Sequence, residues 1–407
     1  MATATATSHP LAAPLATTVG DPHAAAATFD ARASSTLAAP KDDERLDCVA
    51  DGTGRKCAVG MVTDRVKNAL ETMKDFEALS IFLMADGGLT QAHIESLAKI
   101  PWVTELRIDA RSLPAGAFAT LAKLETLDLR SDELSDIAFL SDLVELEHLT
   151  VSARDLQSLP LGKLTKLKSL NVDGSQAPDL AALAGLVELE HLDVDGSFIS
   201  IPRLANLKKL RHLALRSPVL VDLGGLAGLA SLKRLDASNS AVSDVTPLAK
   251  LTNLGSLDLR GTNVHDLAPL AGLVALSELD LGGTDVEDLR PLKRTSLSEL
   301  AIDGTRVKDL SALAPVTTLR WLTVRNTPIT SLRGVNALTG LYSLDASGTD
   351  ISDASPLRGL TSLRMLVLPM GIPAGRVEAL REALPKTRII QQRVAQEPAE
   401  GEDDEDE

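Results

Sequence analysis

The chain is poor in aromatic residues. Of its 407 residues 44% are hydrophobic but only 2% are aromatic, namely six Phe, two Trp and one Tyr. Aromatic side chains bury about 150–250 Å² each and fill much of an ordinary protein core. Their scarcity argues against one large globular core and favours a thin unit of Leu, Ala and Val that is stacked many times.

Long apolar runs, an excess of positive charge and catalytic motifs are missing as well. No apolar run reaches the roughly 18 residues that a membrane span needs, so we expect no membrane-spanning helix. The net charge of −15 and the few aromatics argue against nucleic-acid binding. The motifs GxGxxG, GxxxxGK[ST], GxSxG and HExxH are absent from the sequence. We therefore expect a protein that is not an enzyme and that needs neither a cofactor nor a metal ion.

The two ends of the chain differ in composition from its middle. Residues 397–407 hold eight acidic residues and no basic one, so a disordered acidic tail is expected over 395–407. It serves either to keep the protein in solution or to dock a basic partner. Residues 1–40 are rich in Ala, Thr, Ser and Pro and are also expected to be disordered. They lack the pattern of a conventional signal peptide, which leaves a processed linker or another kind of export signal.

The chain has only two cysteines, Cys48 and Cys57. The turn-forming residues 51–54 lie between them, so a short hairpin is expected to bring the pair within reach of a disulfide. A disulfide would imply an oxidising compartment, and the alternative is two free thiols in a reducing one. No histidine is close in sequence, which argues against a metal site.

A period of 21 or 22 residues runs through the middle of the chain. LTNLGSLDLRGTNVHDLAPLAG (251–272) is followed by LVALSELDLGGTDVEDLRPLK (273–293), and the template LxxLxxLxLxxTxVxDLxPLxx recurs over residues 100–370. About twelve copies and a truncated thirteenth keep this spacing, which is the signature of a repeat protein. Each unit can bury its apolar face only against its neighbours.

This template resembles the leucine-rich repeat family, and within it the 22-residue class of the bacterial internalins. The resemblance implies an α/β solenoid, a right-handed leucine-rich repeat superhelix with a concave parallel β-sheet. It also implies a small α-rich N-terminal cap that includes the cysteine pair (41–99) and a helical C-terminal cap (371–394). The spacing of apolar residues predicts helices around Val66–Phe76 and Ile94–Leu97, and a helix followed by a strand over 375–390.

The polar positions of the template are expected to be structural. Thr stands where the family usually has Asn, and its buried hydroxyl is expected to bridge adjacent turns, at Thr262, Thr284, Thr305, Thr327 and Thr349. Asp residues three positions before a proline are expected to cap free N–H groups of the convex turns, namely Asp244, Asp266, Asp288 and Asp353.

The concave face is where a partner is expected to bind, and acidic residues outnumber basic ones on it. Asp236, Asp258 and Asp280 share one column on consecutive strands, and Asp193 and Asp195 lie on the same face. Like charges about 4.8 Å apart should repel, with Arg234 and Arg260 expected to neutralise them in part. The column is a solvated surface, a docking stripe for Lys and Arg of a partner, or a weak cation site.

Two other sets of residues on this face stand out. His148, His191 and His212 share another column and are either surface histidines, a pH-sensitive contact or metal ligands. Trp321 is expected to project from the concave face, with Tyr342 nearby and Arg320 and Arg325 on either side of the pair. These residue types are enriched at binding hot spots, so the four are the candidate anchor; packing against the C-terminal cap is the alternative.

These observations predict a non-enzymatic scaffold that recognises a protein partner on the concave leucine-rich repeat face. The acidic bias favours a basic partner, and the chain is expected to be a monomer. An exported, cell-surface or host-targeted protein is slightly favoured over a cytoplasmic one. The alternative function is a cytosolic leucine-rich repeat regulator of an enzyme such as a GTPase or a phosphatase.

Overall fold

A computed structural model describes residues 46–51, 54–59, 79–85, 91–98 and 103–110, and residues 118–392 apart from short gaps. The chain divides into two compact units, residues 1–36 and 37–407, and all described residues lie in the second. The predicted disordered segments and the predicted helix around Val66–Phe76 lie outside the described residues.

Seventeen strands within the described residues form one sheet, and each strand pairs with the next one along the chain. The first pair is antiparallel and the later pairs are parallel. The strands are β1 (Leu46–Asp51), β2 (Gly54–Val59), β3 (Leu79–Ala85), β4 (Val103–Ala110), β5 (Thr126–Arg130), β6 (His148–Ser152), β7 (Ser169–Asp173), β8 (His191–Asp195), β9 (His212–Arg216), β10 (Arg234–Asp236), β11 (Ser256–Asp258), β12 (Glu278–Asp280), β13 (Glu299–Ala301), β14 (Trp321–Thr323), β15 (Ser343–Asp345), β16 (Met365–Pro369) and β17 (Arg388–Gln392).

The core is a ladder of aliphatic side chains, mostly leucines, behind the sheet. Leu257 of β11 is 1% exposed, and Leu251, Leu254 and Leu259 of the same repeat are equally buried. The same positions are buried in the neighbouring repeats, and together they form one continuous cluster. Because burial of such a side chain contributes about 1.5–3 kcal/mol, each repeat is stabilised mainly by contact with its neighbours.

The strands shorten from five residues in β5–β9 to three residues in β10–β15. In most of the shorter repeats a residue with positive φ follows the strand, for example Asn239 at 55° and Gly261 at 65°. Such a backbone conformation favours Gly or Asn and turns the chain out of the extended ladder.

The convex side consists of short 3₁₀ segments, and aspartates cap the first turn of most of them. The Asp244 Oδ1 accepts from the Thr246 N–H at 2.8 Å, and Asp266 caps Ala268 in the same way. The predicted capping role is confirmed there and at Asp288 and Asp353. The segments are Ala138–Asp142, Leu180–Gly185, Gly224–Leu226, Thr246–Leu248, Ala268–Gly272, Arg290–Arg294, Ser311–Leu313, Val335–Ala337 and Ser355–Leu357.

The threonine hydroxyls bond differently from the prediction. The Thr284 Oγ1 donates to the carbonyl oxygen of Leu281, three residues earlier in the same repeat, at 2.6 Å. Thr262, Thr305, Thr327 and Thr349 repeat this geometry. Adjacent turns are joined instead by backbone groups, such as the Gly261 N–H and the Gly282 carbonyl at 2.8 Å. The prediction that these hydroxyls bridge adjacent turns was therefore wrong. The carbonyl three residues earlier in the same turn is the nearer acceptor.

Helices flank the repeats on both sides. Helix α1 (Gln91–Ala98) contains the predicted pair Ile94 and Leu97, which are both fully buried. At the other end, α2 (Ala374–Ala383) buries Val377 and Leu380, and β17 follows it, as the sequence predicts. Strands β1–β3 extend the sheet toward the N-terminus, a contribution that the repeat template does not predict. None of the described helices is long and apolar enough to cross a membrane.

Candidate functional site

The parallel register arranges the outward side chains of the sheet in columns. Because side chains alternate along a strand, the residues on either side of each buried strand leucine face outward. The first column, which we call column one, contains Arg234, Ser256, Glu278, Glu299, Trp321, Ser343 and Met365. The second, column two, contains Asp236, Asp258, Asp280, Ala301, Thr323 and Asp345. The predicted alignment of three aspartates is confirmed.

The aspartates of column two are largely withdrawn from solvent. The side chains of Asp236, Asp258 and Asp280 are 12%, 13% and 7% exposed. Each Oδ1 accepts a hydrogen bond from the backbone N–H two residues later, at 2.9, 2.9 and 2.8 Å respectively. These carboxylates therefore hold the turn that follows each strand, an arrangement that Asp favours because its short side chain reaches its own backbone.

Arg216 of β9 neutralises the first part of this acidic face. Its Nη2 lies 2.9 Å from Asp193 Oδ1, its Nη1 3.0 Å from Asp236 Oδ2, and its Nε 3.5 Å from Asp195 Oδ2. Burial opposes the charged form of Arg216, but Asp193 and Asp236 hold the pKa of the guanidinium above its ordinary value. The role of Asp193, Asp195 and Asp236 in binding a partner stays a prediction, and the structure shows that they share one internal cation.

Arg260 and Arg234 behave differently from each other. Arg260 Nη2 lies 2.9 Å from Asp258 Oδ2, and its Nε lies 3.6 Å from Asp280 Oδ2, as the sequence predicts. Arg234 instead approaches Glu278 of column one, at 3.8 Å between Nη2 and Oε2. Arg216 therefore neutralises Asp236, where the sequence favoured Arg234.

Burial makes the charged form of Asp258 and of Asp280 in column two less favourable. The pKa of Asp258 is raised by burial, and also by the neighbouring charge of Asp236. The pKa of Asp280 is raised to about 6, by burial first and then by the charges of Asp258 and Asp303. The hydrogen bond from the Gly282 N–H and the charge of Arg260 oppose this rise without cancelling it. Of the three aligned aspartates, Asp280 is therefore the one whose charged form is most disfavoured in the folded protein.

The aromatic pair lies on the concave face, and both rings are accessible. Trp321 is 40% and Tyr342 is 48% exposed, and their ring centroids are 6.1 Å apart at an interplanar angle of 52°. The C-terminal cap therefore does not cover them. The predicted flanking cations have other contacts. Arg325 Nε donates to Asp303 Oδ2 at 3.1 Å, and the guanidinium of Arg320 lies directly beside Gly340.

Two histidines of the predicted column are in contact. The rings of His191 and His212 meet edge to face, with centroids 4.5 Å apart, whereas His148 is separated from them by Ser169 of β7. Burial lowers the pKa of His191, and burial followed by the neighbouring His191 lowers that of His212 to about 4. Burial therefore favours the neutral form of both rings. Within the described part of the chain, no group of three or more His, Cys, Asp or Glu residues could hold a metal ion.

Strands β1 and β2 form the hairpin that the cysteine spacing predicts. Their antiparallel register places Cys48 and Cys57 directly opposite each other. Backbones of directly opposed residues bring two cysteines within the usual Cα separation of a disulfide. The disulfide itself stays a prediction.

Glu278 and Glu299 were not singled out as candidate site residues by the sequence reasoning. They occupy column one on β12 and β13, directly beside Trp321 of β14. The signal that could have found them is positional. Both residues immediately precede a buried strand leucine, as Trp321 does, and the spacings of 21 and 22 residues place them on consecutive strands.

The continuous parallel sheet, the leucine ladder and the outward columns define a leucine-rich repeat solenoid with a concave face. The chain has an internalin-like fold. It is similar to an internalin, InlF, from Listeria monocytogenes, with 25% identity, a TM-score of 0.63, and coverage of 81% of this chain and 94% of that one.

Two further solved structures share the fold. The Leptospira interrogans leucine-rich repeat protein LIC12759 is 20% identical, with a TM-score of 0.65 and coverage of 81% of this chain and 93% of that one. The plant peptide hormone receptor RGFR1, in complex with RGF2, is 18% identical, with a TM-score of 0.55 and coverage of 76% and 57%. No protein-family model and no curated protein matches the chain.

Proposed function

We propose that the chain is a non-enzymatic scaffold that binds a protein partner on its concave face. The observation that carries this proposal is the exposed pair of Trp321 and Tyr342, in a chain where only 2% of residues are aromatic. Trp and Tyr are enriched at binding hot spots because they contribute large contact areas and lose little conformational entropy.

The surroundings of the pair support the same function. The parallel ladder holds each strand by hydrogen bonds to both neighbours, so the face is presented as a rigid surface. A rigid surface loses little entropy when a partner binds. One structure neighbour is a peptide hormone receptor in complex with RGF2, so this fold can accommodate such a ligand. We infer export of the protein from the cysteine hairpin, since a disulfide would persist in an oxidising compartment.

Site-specific photo-crosslinking tests the proposal. A photoreactive amino acid is introduced at Thr323 or Ser343 on the concave face, or at the exposed Ala271 on the convex face as the matched control. Purified full-length protein is then irradiated with extracts of its native source. We expect one and the same protein partner to be captured from both concave positions and not from Ala271. Capture from the convex position alone would refute a concave binding site.

A further inference from the structure

The glutamates beside Trp321 differ from the aspartates of column two in what they contact. Column two is bound internally, by turn N–H groups and by Arg216 and Arg260. In contrast, Glu299 makes no ion pair or hydrogen bond through its carboxylate to any residue that the structure describes. Glu278 has only the approach of Arg234, at 3.8 Å and on a half-exposed side chain. Of the two, Glu299 is therefore the carboxylate without a paired side chain among the described residues, and Glu278 is paired only weakly, with Arg234.

These two carboxylates and the indole form a continuous surface. Glu278, Glu299 and Trp321 are direct register partners on three successive strands. At about 4.8 Å between strands, the three side chains cover roughly 10 Å along the sheet. Burial, and then the charge of Glu278, raises the pKa of Glu299, and the charge of Arg234 opposes this rise without cancelling it.

The column-two residues next to Trp321 have small, uncharged side chains. Its neighbours in column two are Ala301 and Thr323, where the preceding repeats carry aspartates. A side chain from a partner can therefore lie along the indole and over Ala301 without meeting an internal cation. The guanidinium of Arg320, the adjacent cation in sequence, lies beside Gly340 of the following repeat.

We propose that Glu278, Glu299 and Trp321 form a subsite for a Lys or Arg side chain of the partner protein. This inference rests on the proposed function and specifies its partner chemistry. The aliphatic stem packs on the indole and on Ala301, and the terminal cation faces the two carboxylates. A long stem with a terminal charge suits such a surface, because the ring attracts the cation while the stem covers apolar area. The ring of Tyr342 extends the apolar surface of the indole toward the C-terminal end of the sheet.

Fluorescence anisotropy with a short end-blocked peptide of alternating Lys and Gly tests the subsite on the full-length protein. The comparison peptides carry Nε-acetyl-lysine, which keeps the stem without the charge, or Glu. We expect the Lys peptide to bind and both comparison peptides to bind roughly 2- to 5-fold more weakly. We expect Trp321→Ala to weaken binding of the Lys peptide roughly 2- to 30-fold. The double variant Glu278→Gln, Glu299→Gln should weaken it about 5-fold or more.

Matched controls separate the subsite from general charge attraction, including attraction to the acidic tail. Glu287→Gln with Glu382→Gln makes the same change in net charge on exposed residues outside the sheet, and Met370→Ala removes an exposed apolar side chain elsewhere. These controls should change binding less than about 2-fold. All substituted residues are at least partly exposed, and circular dichroism checks that each variant is folded.

Several outcomes would overturn the inference. They are equal effects of the site and control variants, binding carried by the tail alone, equal binding of the acetylated or Glu peptide, and no binding of the Lys peptide. The proposed function can survive this failure, because concave crosslinking of a partner does not depend on Lys or Arg. If a partner crosslinks from Thr323 and Ser343 but its binding is unchanged by the glutamate substitutions, only the subsite is refuted.

Discussion

Replacing Asp280 by Asn tests whether the buried acidic column destabilises the fold at neutral pH. Asp280 is buried, and its Oδ1 accepts the Gly282 N–H at 2.8 Å. An Asn oxygen can keep that hydrogen bond while the charge is removed. The pKa of Asp280 is about 6, against an ordinary value of 3.8, mainly because of burial.

The sign and size of the effect follow from this pKa. Because the pKa is higher in the folded state, folding favours the protonated acid, and the free energy of unfolding falls as the pH rises from about 4 to about 6. A tenfold change in acidity is worth about 1.4 kcal/mol, so the charged form costs the folded state up to about 3 kcal/mol above pH 6. We expect Asp280→Asn to raise the free energy of unfolding by about 1–3 kcal/mol at pH 7.5, and by much less at pH 4.

Urea unfolding of the full-length protein, followed by circular dichroism at both pH values, measures this difference. Asp345→Asn is the matched control. Asp345 caps the Ser347 N–H at 3.0 Å in the same way, but its column neighbours Thr323 and Val367 are uncharged. The control should therefore gain much less stability at pH 7.5. Equal changes in both variants, or a loss of stability in Asp280→Asn at pH 7.5, would refute the electrostatic reasoning.

Three further changes probe the ladder, the turns and the hairpin. Leu257→Ala should lower the free energy of unfolding by about 2–5 kcal/mol in urea titrations, because it opens a cavity in the leucine cluster. Thr284→Val should cost about 0.5–1.5 kcal/mol, because it removes the hydroxyl hydrogen bond to the buried Leu281 carbonyl and leaves only the Thr284 N–H at 3.1 Å, whereas Thr284→Ser should cost clearly less. For Cys48 and Cys57, intact mass with alkylation, before and after reduction, should show no free thiol in protein from its native compartment. Full alkylation before reduction would exclude the disulfide.

The repeat architecture could be predicted from the sequence, because its information is periodic. A spacing of 21 or 22 residues with alternating leucines determines which residues face inward, and Leu257 and Leu259 are buried as expected. The same spacing aligns Asp236 with Asp258 and Asp280, which the register confirms. The aspartate caps could be predicted as well, since an Asp such as Asp244 bonds to a backbone group only two residues away.

What a side chain contacts across repeats could not be predicted in the same way. Asp236 pairs with Arg216, and Arg234 turns toward Glu278. A long side chain on a column has several neighbours within reach, and small differences in rotamer and burial decide among them. The threonine hydroxyl shows the same limit at shorter range, because its own turn and the adjacent turn were both plausible acceptors.

The sequence by itself determined a leucine-rich solenoid and the columns of its concave face. The structure decided that Trp321 and Tyr342 are exposed there rather than packed against the C-terminal cap. Only the tertiary structure decided which acidic residues are already bound internally and which face outward without a partner. The aspartates of column two bond to their own turns and to two arginines, while Glu299, beside Trp321, does not. The physical reason is that periodicity fixes the position of each Cβ, whereas neutralisation of a charge depends on distances and burial that arise only when the repeats are stacked.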